Sequence, residues 1–417
     1  MEKIKILKKK IKSKKIKLKN IFLKISIKII NIIIPKDDKI ILIGGWFGER
    51  FSDNSRYIYL YLNINLKKYN LKKVIFVTKN REVYDYIKST LKYEVYMMYS
   101  IKSIFYHLKA KYYIIDQNFQ KDLIGWLGIN TIKINLWHGF PLKKIGYLKG
   151  ENPRPSVGNL DNYYLLTCSK LGDSIIGDSF KCPKNKRFKG MYPRNYFLKS
   201  ESENYLLPKK EKNVLGIINR EKLKGKKIII YLPTFRDKEK LIFLGESSLK
   251  KIELFFNFLK ENNYFLITKV HFAGTNIISK NRDNILIKNE NFFNIESSVD
   301  IYSILKMTDI LITDYSSVYF DYLYLNKRII FYPYDLEYYK TKDRGLNFDY
   351  NEITPGEKVY NLEELKESLK KKEEKKYIYS RKKVLEKCFE NYTIEETIDN
   401  ILKIGRENEK NNNIWNI

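Results

Sequence analysis

The amino-acid sequence predicts an α/β protein of two domains, and three observations favour this fold class. The chain has 417 residues, more than one ordinary hydrophobic core accommodates, which suggests two domains of roughly 150 to 200 residues each. Its composition, 44% hydrophobic and 30% charged, is that of a folded protein and excludes wholesale disorder. Two blocks of short, continuous apolar runs alternate with polar stretches of helical length, which indicates buried parallel sheets.

The first 36 residues form a basic segment that precedes these blocks, with 13 lysines and one acidic residue, Glu2. Helical spacing gives it an apolar face with Ile11, Leu18, Phe22, Ile25, Ile29 and Ile32, and a polar face with Lys10, Lys14, Lys17, Lys24, Lys28 and Asn31. We predict a helix that lies on an anionic membrane surface. The alternative is a terminal helix packed on the protein body with a solvated lysine face. Residues 21–34 are too short to span a bilayer, and no small-residue cleavage site indicates a signal peptide.

The formal net charge of +31 has two explanations. It invites nucleic-acid binding, but a general lysine and isoleucine bias of the chain explains it equally well. The cysteines, Cys168, Cys182 and Cys388, have no CxxC spacing and no nearby histidine. This argues against a zinc site and a disulfide framework and fits a reducing cytoplasm. We expect no nucleic-acid partner, no essential metal ion and no other cofactor.

Residues 37–200 are predicted as a first Rossmann-like domain. Its strands are expected in "KIILIGG" (39–45), "KKVIFVT" (72–78), "KYYIID" (111–116), "TIKINLWHG" (131–139) and "YYLLTCS" (163–169). The polar stretch at 196–226 is interpreted as a linker with one helix.

Residues 201–417 are predicted as a second Rossmann-like domain with terminal helices in a tail rich in glutamate and lysine. Its strands are expected in "KIIIYLPTFR" (227–236), "YFLITKVH" (264–271), "NILIK" (284–288), "DILITDYSS" (309–317) and "RIIFYPYD" (328–335).

Unusual polar residues stand at the ends of the predicted strands of both halves. They are His138, Arg236, His271 and the group from Thr313 to Ser317. Ligands of such sheets gather at the carboxyl ends of the strands, so these residues predict a cleft between the two domains. Ser316 or Ser317 would cap a helix whose N-terminus can bind phosphate oxygens, although a serine pair can also be a cap and nothing more. Imidazole suits a general base near pH 7, and Arg236 and His271 could supply donors to a diphosphate.

Five motifs follow one another along the chain: "LWHGFPLKKIG" (136–146), "GMYPRN" (190–195), "YLPTFRD" (231–237), "ITDYSSVYFD" (312–321) and "ITPGE" (353–357). Together they resemble the CDP-glycerol glycerophosphotransferase family, the teichoic-acid primases and polymerases. The resemblance implies a GT-B type fold with an acceptor-side first domain and a CDP-alditol-binding second domain. It also implies transfer of glycerol phosphate or a related alditol phosphate to a hydroxyl of a lipid-linked polymer of teichoic-acid or capsular type, with release of CMP. Such an enzyme would work as a peripheral protein on the cytoplasmic face of the membrane.

The resemblance assigns roles residue by residue. His138 matches the proposed general base for the acceptor hydroxyl, and Arg236, His271, Ser316 and Ser317 match groups that bind the donor diphosphate. We count His138, His271 and Arg236 as the catalytic set. The further substrate-binding candidates are Thr313, Asp314, Asp321, Arg194 and Lys143.

Some of these roles have alternatives. Asp314 could equally fix the turn, Asp321 could lie on a helix face, and Arg194 could hold the domain interface. Phe140 stands where the family often has threonine, and Tyr196 replaces the usual aspartate after the P-R-N motif. Because of these departures, the sequence predicts the class of the donor more firmly than the identity of the acceptor. His107 matches no family motif and is interpreted as a structural histidine.

Two other functions compete with the transferase hypothesis. One is a GT-B glycosyltransferase that uses a nucleotide-sugar. The other is a non-catalytic basic protein that binds membranes or nucleic acid, but this leaves the residues at the strand ends unexplained. The sequence does not distinguish glycerol from ribitol, a primase from a polymerase, or one oligomeric state from another.

Overall fold

The structure is a computed structural model that describes residues 29–31, 33–150, 163–200, 206–234, 236, 242–269, 289–343 and 345–414. Residues 1–28 of the predicted amphipathic helix, the predicted strand at 284–288 and His271 lie outside these residues.

The first domain contains a sheet whose described strands are β1 Asp37–Ile43, β2 Lys73–Thr78, β3 Val95–Met97, β4 Ala110–Ile115, β5 Ile132–Asn135, β6 Tyr163–Thr167 and β7 Arg187–Lys189. All neighbouring strands are parallel, in the order β3-β2-β1-β4-β5-β6-β7. The accompanying helices are α1 Asp53–Ile64, α2 Arg81–Tyr86, α3 Ile101–Lys109, α4 Phe119–Asp122, α5 Lys170–Phe180 and α6 Pro193–Lys199.

The second domain contains a parallel sheet whose described strands are β8 Lys227–Leu232, β9 Tyr264–Thr268, β10 Phe292–Asn294, β11 Ile310–Thr313, β12 Arg328–Phe331 and β13 Glu357–Lys358. Their order is β10-β9-β8-β11-β12-β13. The helices that follow the first domain are α7 Lys209–Leu223, α8 Leu249–Glu261, α9 Tyr302–Leu305, α10 Val318–Tyr322, α11 Leu336–Lys342, α12 Tyr350–Ile353, α13 Leu362–Lys370, α14 Lys375–Cys388 and α15 Ile394–Ile414.

The central strands explain why the apolar runs predict the fold. Residues 40–43 of β1 and all residues of β4 are buried. A parallel strand covered by helices on both faces has no solvent side, so its sequence is continuously apolar rather than alternating. The predicted α/β class with two parallel sheets is therefore confirmed.

The last helix differs from the prediction that placed all C-terminal helices in the second domain. Helix α15 returns to the first domain, where it contacts β5 and β7. There Thr397 Oγ1 accepts a hydrogen bond from the Met191 amide at 2.8 Å, and Asn400 Nδ2 donates to the Lys189 carbonyl at 3.0 Å. The chain thus crosses between the domains twice.

Helix α1 of the first domain is buried against the second domain. Arg56 donates through both terminal nitrogens to the Glu211 carboxylate, at 2.6 and 3.1 Å. The Tyr57 hydroxyl donates to Asp300 Oδ1 at 2.9 Å. Because loss of one partner of a buried ion pair leaves an uncompensated charge, these contacts fix the relative position of the domains. No helix in the described ranges combines the length and the apolarity needed to cross a bilayer.

Candidate active site

A cleft of about 290 Å³ lies between the two domains, at the carboxyl ends of their strands. Five of the predicted residues line it: His138, Arg194, Ser316, Ser317 and Asp321. The structure therefore brings together residues that are nearly 200 positions apart in the chain.

His138 reaches the cleft because the chain turns sharply after β5. Trp137 and Gly139, on either side of it, have φ angles of 58° and 137°, values that L side chains seldom adopt. The Trp137 amide donates to Asn135 Oδ1 at 2.8 Å, and the Trp137 and His138 rings pack with centroids 3.9 Å apart. This turn presents the imidazole to the cleft in a fixed orientation.

The electrostatic environment keeps the His138 imidazole neutral. Burial lowers its pKa to about 4, an effect that Asp53 opposes and that the cations Arg194 and Lys143 reinforce. Its Nδ1 is buried and has no hydrogen-bond partner among the described residues. The ring also hydrogen-bonds the backbone of Asp116. A neutral imidazole has one nitrogen without a proton, and that nitrogen can accept one.

Arg194 joins both sides of the cleft. Its guanidinium donates to Asp53 Oδ1 of α1 at 2.6 Å and to Asp321 Oδ2 of α10 at 2.8 Å. Tyr302 donates its hydroxyl to the same Asp321 oxygen at 3.1 Å. Burial raises the pKa of Asp321 to about 6, against the opposing effect of Arg194. These contacts of Arg194 agree with a role in holding the domain interface. Arg194 also lines the cleft, and its contact with substrate stays a prediction.

Ser316 and Ser317 face His138 from the second domain. Ser317 stands at the N-cap of α10, but its side chain makes no capping hydrogen bond. A Cβ added at Gly139 would lie 2.8 Å from Arg194 Nη2 and 3.5 Å from Ser317 Oγ, so the His138 turn and the serine turn approach closely. Helix α10 has only five residues, so we attribute any ligand contact to the hydroxyl groups and amides of this turn rather than to a long helix dipole.

Arg236, Thr313 and Asp314 lie behind the serine turn, outside the cleft lining described above. Arg236 donates to Asp314 Oδ2 at 2.8 Å and to both oxygens of Asp335 at 2.8 and 3.0 Å. Asp314 Oδ1 also accepts from the Thr234 amide at 2.7 Å, and Thr313 Oγ1 donates to the Leu232 carbonyl at 2.7 Å. In this arrangement the three residues support the turn. A direct contact of Arg236 with the donor diphosphate stays a prediction.

The loop that follows His138 is held by the second domain. Lys143 forms an antiparallel β-bridge with Leu346. Asn347 Nδ2 donates to the carbonyls of Pro141 and Lys143, both at 2.9 Å, and the Asn347 amide donates to the Leu142 carbonyl at 2.9 Å. The predicted substrate contact of Lys143 remains untested. His107, in contrast, is fully buried and its Nε2 accepts from the Ile124 amide at 3.1 Å, in agreement with a structural role.

The cleft also contains residues that the sequence reasoning missed: Trp46, Arg50, Asp53, Lys269, Asp300 and Tyr302. Lys269 follows β9, and Trp46 follows β1 after two glycines, so the strand-end rule applied to every strand would have found both. Lys269 Nζ donates to the Val299 carbonyl at 2.6 Å, and burial lowers its pKa to about 8. Asp53, Asp300 and Tyr302 carry no comparable signal, because only the meeting of the two domains places them here.

A sequence model of the family described as CDP-glycerol:poly(glycerophosphate) glycerophosphotransferase matches residues 26–402. The chain belongs to this family. The resemblance drawn from the five motifs is thereby confirmed, and the protein is an enzyme of the glycerophosphotransferase class.

Relatives cover most of the chain. The teichoic acid poly(glycerol phosphate) polymerase of Bacillus spizizenii is 31% identical over 359 residues, which are 81% of this chain and 85% of the relative. The teichoic acid glycerol-phosphate transferase of Staphylococcus aureus is 28% identical over 363 residues, 82% of this chain and 86% of the relative. A solved structure of the wall teichoic acid polymerase TagF aligns with a TM-score of 0.63 and 22% identity, covering 90% of each chain. This likeness confirms the GT-B type fold.

Proposed function

We propose that the protein transfers glycerol phosphate, or a related alditol phosphate, from CDP-glycerol to a hydroxyl of a lipid-linked polymer of the teichoic-acid type. The observation that carries this proposal is the position of a neutral imidazole, His138, across the cleft from Ser316 and Ser317, in a member of this family. The competing nucleotide-sugar hypothesis has no comparable support from family membership.

The reaction is an in-line displacement at phosphorus. The acceptor oxygen attacks the phosphorus that carries glycerol, a new P–O bond forms, and the P–O bond to CMP breaks. His138 takes the proton of the attacking hydroxyl, and CMP leaves with the bonding electron pair. The products are the polymer extended by one alditol phosphate, CMP and one proton.

The developing negative charge on the phosphoryl oxygens needs fixed donors. The hydroxyls of Ser316 and Ser317 and the ammonium of Lys269 line the cleft and supply them. Thr313, Asp314 and Arg236 contribute by holding the serine turn, whereas Asp321 and Arg194 join that turn to the His138 side. His271 and Lys143 complete the predicted substrate contacts.

We place the enzyme on the cytoplasmic side of the membrane as a peripheral protein, where the nucleotide donor meets the lipid-linked acceptor. The last turn of the predicted N-terminal helix supports this location. Asn31, which the helical pattern assigns to the polar face, is buried and donates to the Leu127 carbonyl at 3.2 Å. The neighbouring Ile29 and Ile33 are 52% and 71% exposed. Of the predicted apolar face, the described residue Ile29 is thus turned away from the protein, which favours the membrane over the packed terminal helix.

Other exposed apolar side chains lie on segments that contact residues 31–36. Trp126, next to Leu127, is half-exposed, and Ile101 and Phe105 are exposed on α3. The Lys36 ammonium connects the two elements by donating to the Leu108 carbonyl of α3 at 2.6 Å. Aromatic and branched side chains surrounded by lysines are typical of surfaces that enter the headgroup region.

A donor screen tests the proposed function. The purified protein is incubated with a lipid-linked acceptor and with labelled CDP-glycerol, CDP-ribitol or nucleotide-sugars. We expect transfer from a CDP-alditol with stoichiometric release of CMP. Transfer from a nucleotide-sugar, with no transfer from either CDP-alditol, would contradict the proposal.

A further inference from the structure

Arg50 differs from the buried arginines near the cleft because it is only partly buried and has no carboxylate partner in the described part of the chain. Arg56, Arg194 and Arg236 each form ion pairs with carboxylates at 2.6 to 2.8 Å. Arg50 is only partly exposed, and its guanidinium lies over the Trp46 ring, 4.9 Å from the centroid. Burial lowers its pKa below the ordinary value, although an arginine remains charged at pH 7.

The loop that carries Trp46 and Arg50 is held in an unusual conformation. Trp46, Phe47 and Gly48 have φ angles of 46°, 60° and 80°. Trp46 and Phe47 are not glycines, so this left-handed backbone is strained at both residues and persists because the surroundings fix it. Here the Phe47 amide donates to Asp122 Oδ1 at 2.7 Å, and Thr78 Oγ1 donates to the Gly48 carbonyl at 2.9 Å. These contacts therefore hold the loop in one fixed conformation.

Arg50 also lies where two cavities meet. It lines the cleft that contains His138 and a neighbouring groove of about 690 Å³. The groove runs between α2, with the turn that follows it, and the start of α7, past Phe51, Tyr86 and Lys209. Its charged lining is mixed: Lys209, Lys210 and Lys212 stand with Glu49, Glu82, Asp85 and Glu211. The serine pair and His138 line the cleft but not the groove. A polymer whose terminal hydroxyl reaches His138 can leave the cleft along this groove.

The chemistry of the pair suits a phosphodiester. A guanidinium presents a planar fork of N–H donors that matches two phosphate oxygens, and its desolvation is compensated when an anion binds. Trp46 adds an indole N–H whose nitrogen is buried and has no partner among the described residues. A neutral sugar acceptor would not compensate the arginine charge.

We propose that Arg50 and Trp46 form a binding site for the phosphodiester of the acceptor, one unit from the attacking hydroxyl. The preferred acceptor then already ends in an alditol phosphate, and the enzyme extends a polymer rather than starting one. This inference rests on the proposed function. It assigns Arg50 to the acceptor because Arg50 belongs to the first domain, on the His138 side of the cleft, whereas the serine turn belongs to the second.

The test compares two soluble acceptor analogues, one ending in glycerol phosphate and one ending in a neutral sugar. For Arg50→Gln we expect the KM of the phosphate-ended acceptor to rise about 10- to 100-fold, the scale of losing a charged hydrogen bond. The KM of CDP-glycerol and the KM of the neutral acceptor should rise much less than the KM of the phosphate-ended acceptor, because neither ligand places a phosphodiester at the proposed site. Arg50→Lys should restore part of the affinity, and Arg220→Gln, an exposed arginine of α7, is the matched control.

A binding measurement without turnover accompanies the assay. A soluble glycerol-phosphate trimer should bind the wild-type protein and lose affinity for Arg50→Gln, while the variant keeps its melting temperature and its affinity for CDP-glycerol. An unchanged acceptor KM, a loss that falls on CDP-glycerol instead, or a wild-type preference for the neutral acceptor would overturn the inference. A wild-type protein that transfers nothing from any CDP-alditol would instead refute the proposed function itself.

Discussion

In the proposed reaction His138 is a weak base in the free enzyme. Burial keeps its pKa near 4, so the imidazole is neutral across the physiological range. The donor brings an ionised diphosphate into the same cleft, and a nearby negative charge raises the pKa of an imidazole. Binding of the donor therefore strengthens the base that the transfer requires.

The pH dependence of the rate follows from two residues. We expect kcat/KM to fall on acidification only near the free-enzyme pKa of about 4, and kcat to fall at a higher pH, because kcat reports the complex. Lys269 loses its charge as the pH rises through about 8, so the rate should decline on the alkaline side. Initial rates over the range from about pH 3 to about pH 9.5 measure both limbs. The Lys269→Gln variant should have a lower rate, and that rate should not decline at alkaline pH. A variant whose rate still declines over the same alkaline range would show that Lys269 does not cause the decline.

Arg236→Ala separates a supporting role from a direct donor contact. The change leaves the buried Asp314 without its cation, which costs about 3 to 5 kcal/mol in the free energy of unfolding, while the partly exposed Asp335 can be solvated. Donor affinity should also fall, because the serine turn loses its support. Denaturant unfolding and calorimetric titration with CDP-glycerol measure the two effects. Lost donor affinity with unchanged stability would show instead that Arg236 contacts the diphosphate directly.

At the scale of elements, the loop after His138 depends on the opposite domain for its shape. Asn347 alone supplies three hydrogen bonds of 2.9 Å to the carbonyls of Pro141, Leu142 and Lys143. Because the loop starts at His138, this contact acts on the position of the base. Asn347 is thus a positioning residue that does not line the cleft as described.

For Asn347→Ala we expect kcat to fall about 10-fold, since displacement of a catalytic group by about 1 Å can cost up to about 10²-fold. The KM of CDP-glycerol should stay within about twofold of the wild-type value. Asn351→Ala, at an exposed site on α12, is the control. A variant that melts at a lower temperature but keeps its kcat would show that Asn347 stabilises the fold without positioning His138.

The elements that the sequence predicts well are the long central strands, because burial on both faces leaves a continuous apolar run. The strands β3, β7, β10 and β13 have only two or three residues and give no pattern of their own. Trp46 and Arg50 escaped notice for different reasons. Trp46 follows a strand and could have been found by applying the strand-end rule to β1. Arg50 could not, because its position depends on the positive φ angles of residues 46–48, which tertiary contacts stabilise and residue type alone does not reveal.

At the scale of the whole molecule, buried ion pairs fix the two domains around the cleft. The pairs of Arg56 with Glu211 and of Arg194 with Asp321 cross the interface, while Asp53 binds Arg194 from within the first domain. The motifs predicted the cleft because strand ends of both sheets carry unusual polar residues. They did not predict these partners, since nothing in the local sequence around Asp53 or Glu211 indicates which distant residue it will meet.

The membrane contact is a property of the whole molecule and can be tested by truncation. Deletion of residues 1–34 should leave a folded protein that still uses a soluble acceptor analogue. The truncated protein should bind anionic liposomes more weakly and be less active on the lipid-linked acceptor. The reason is that each lost lysine contributes about 1 kcal/mol to binding near the membrane surface. Liposome sedimentation at low and moderate salt measures the binding. In the full chain, Ile29→Gln with Ile33→Gln should weaken binding, whereas Ile64→Gln, an exposed isoleucine at the end of α1, should not. Equal binding by the full-length and truncated proteins would support the packed terminal helix.

The measurement that tests the central claim most directly is glycerol-phosphate transfer by His138→Ala alongside its affinity for CDP-glycerol. Loss of a general base should reduce transfer by about 10²-fold or more, while calorimetry should show donor affinity close to that of the wild type, because the serine turn and Lys269 remain. Transfer at a near wild-type rate by a correctly folded His138→Ala protein would contradict the assignment of His138 as the base.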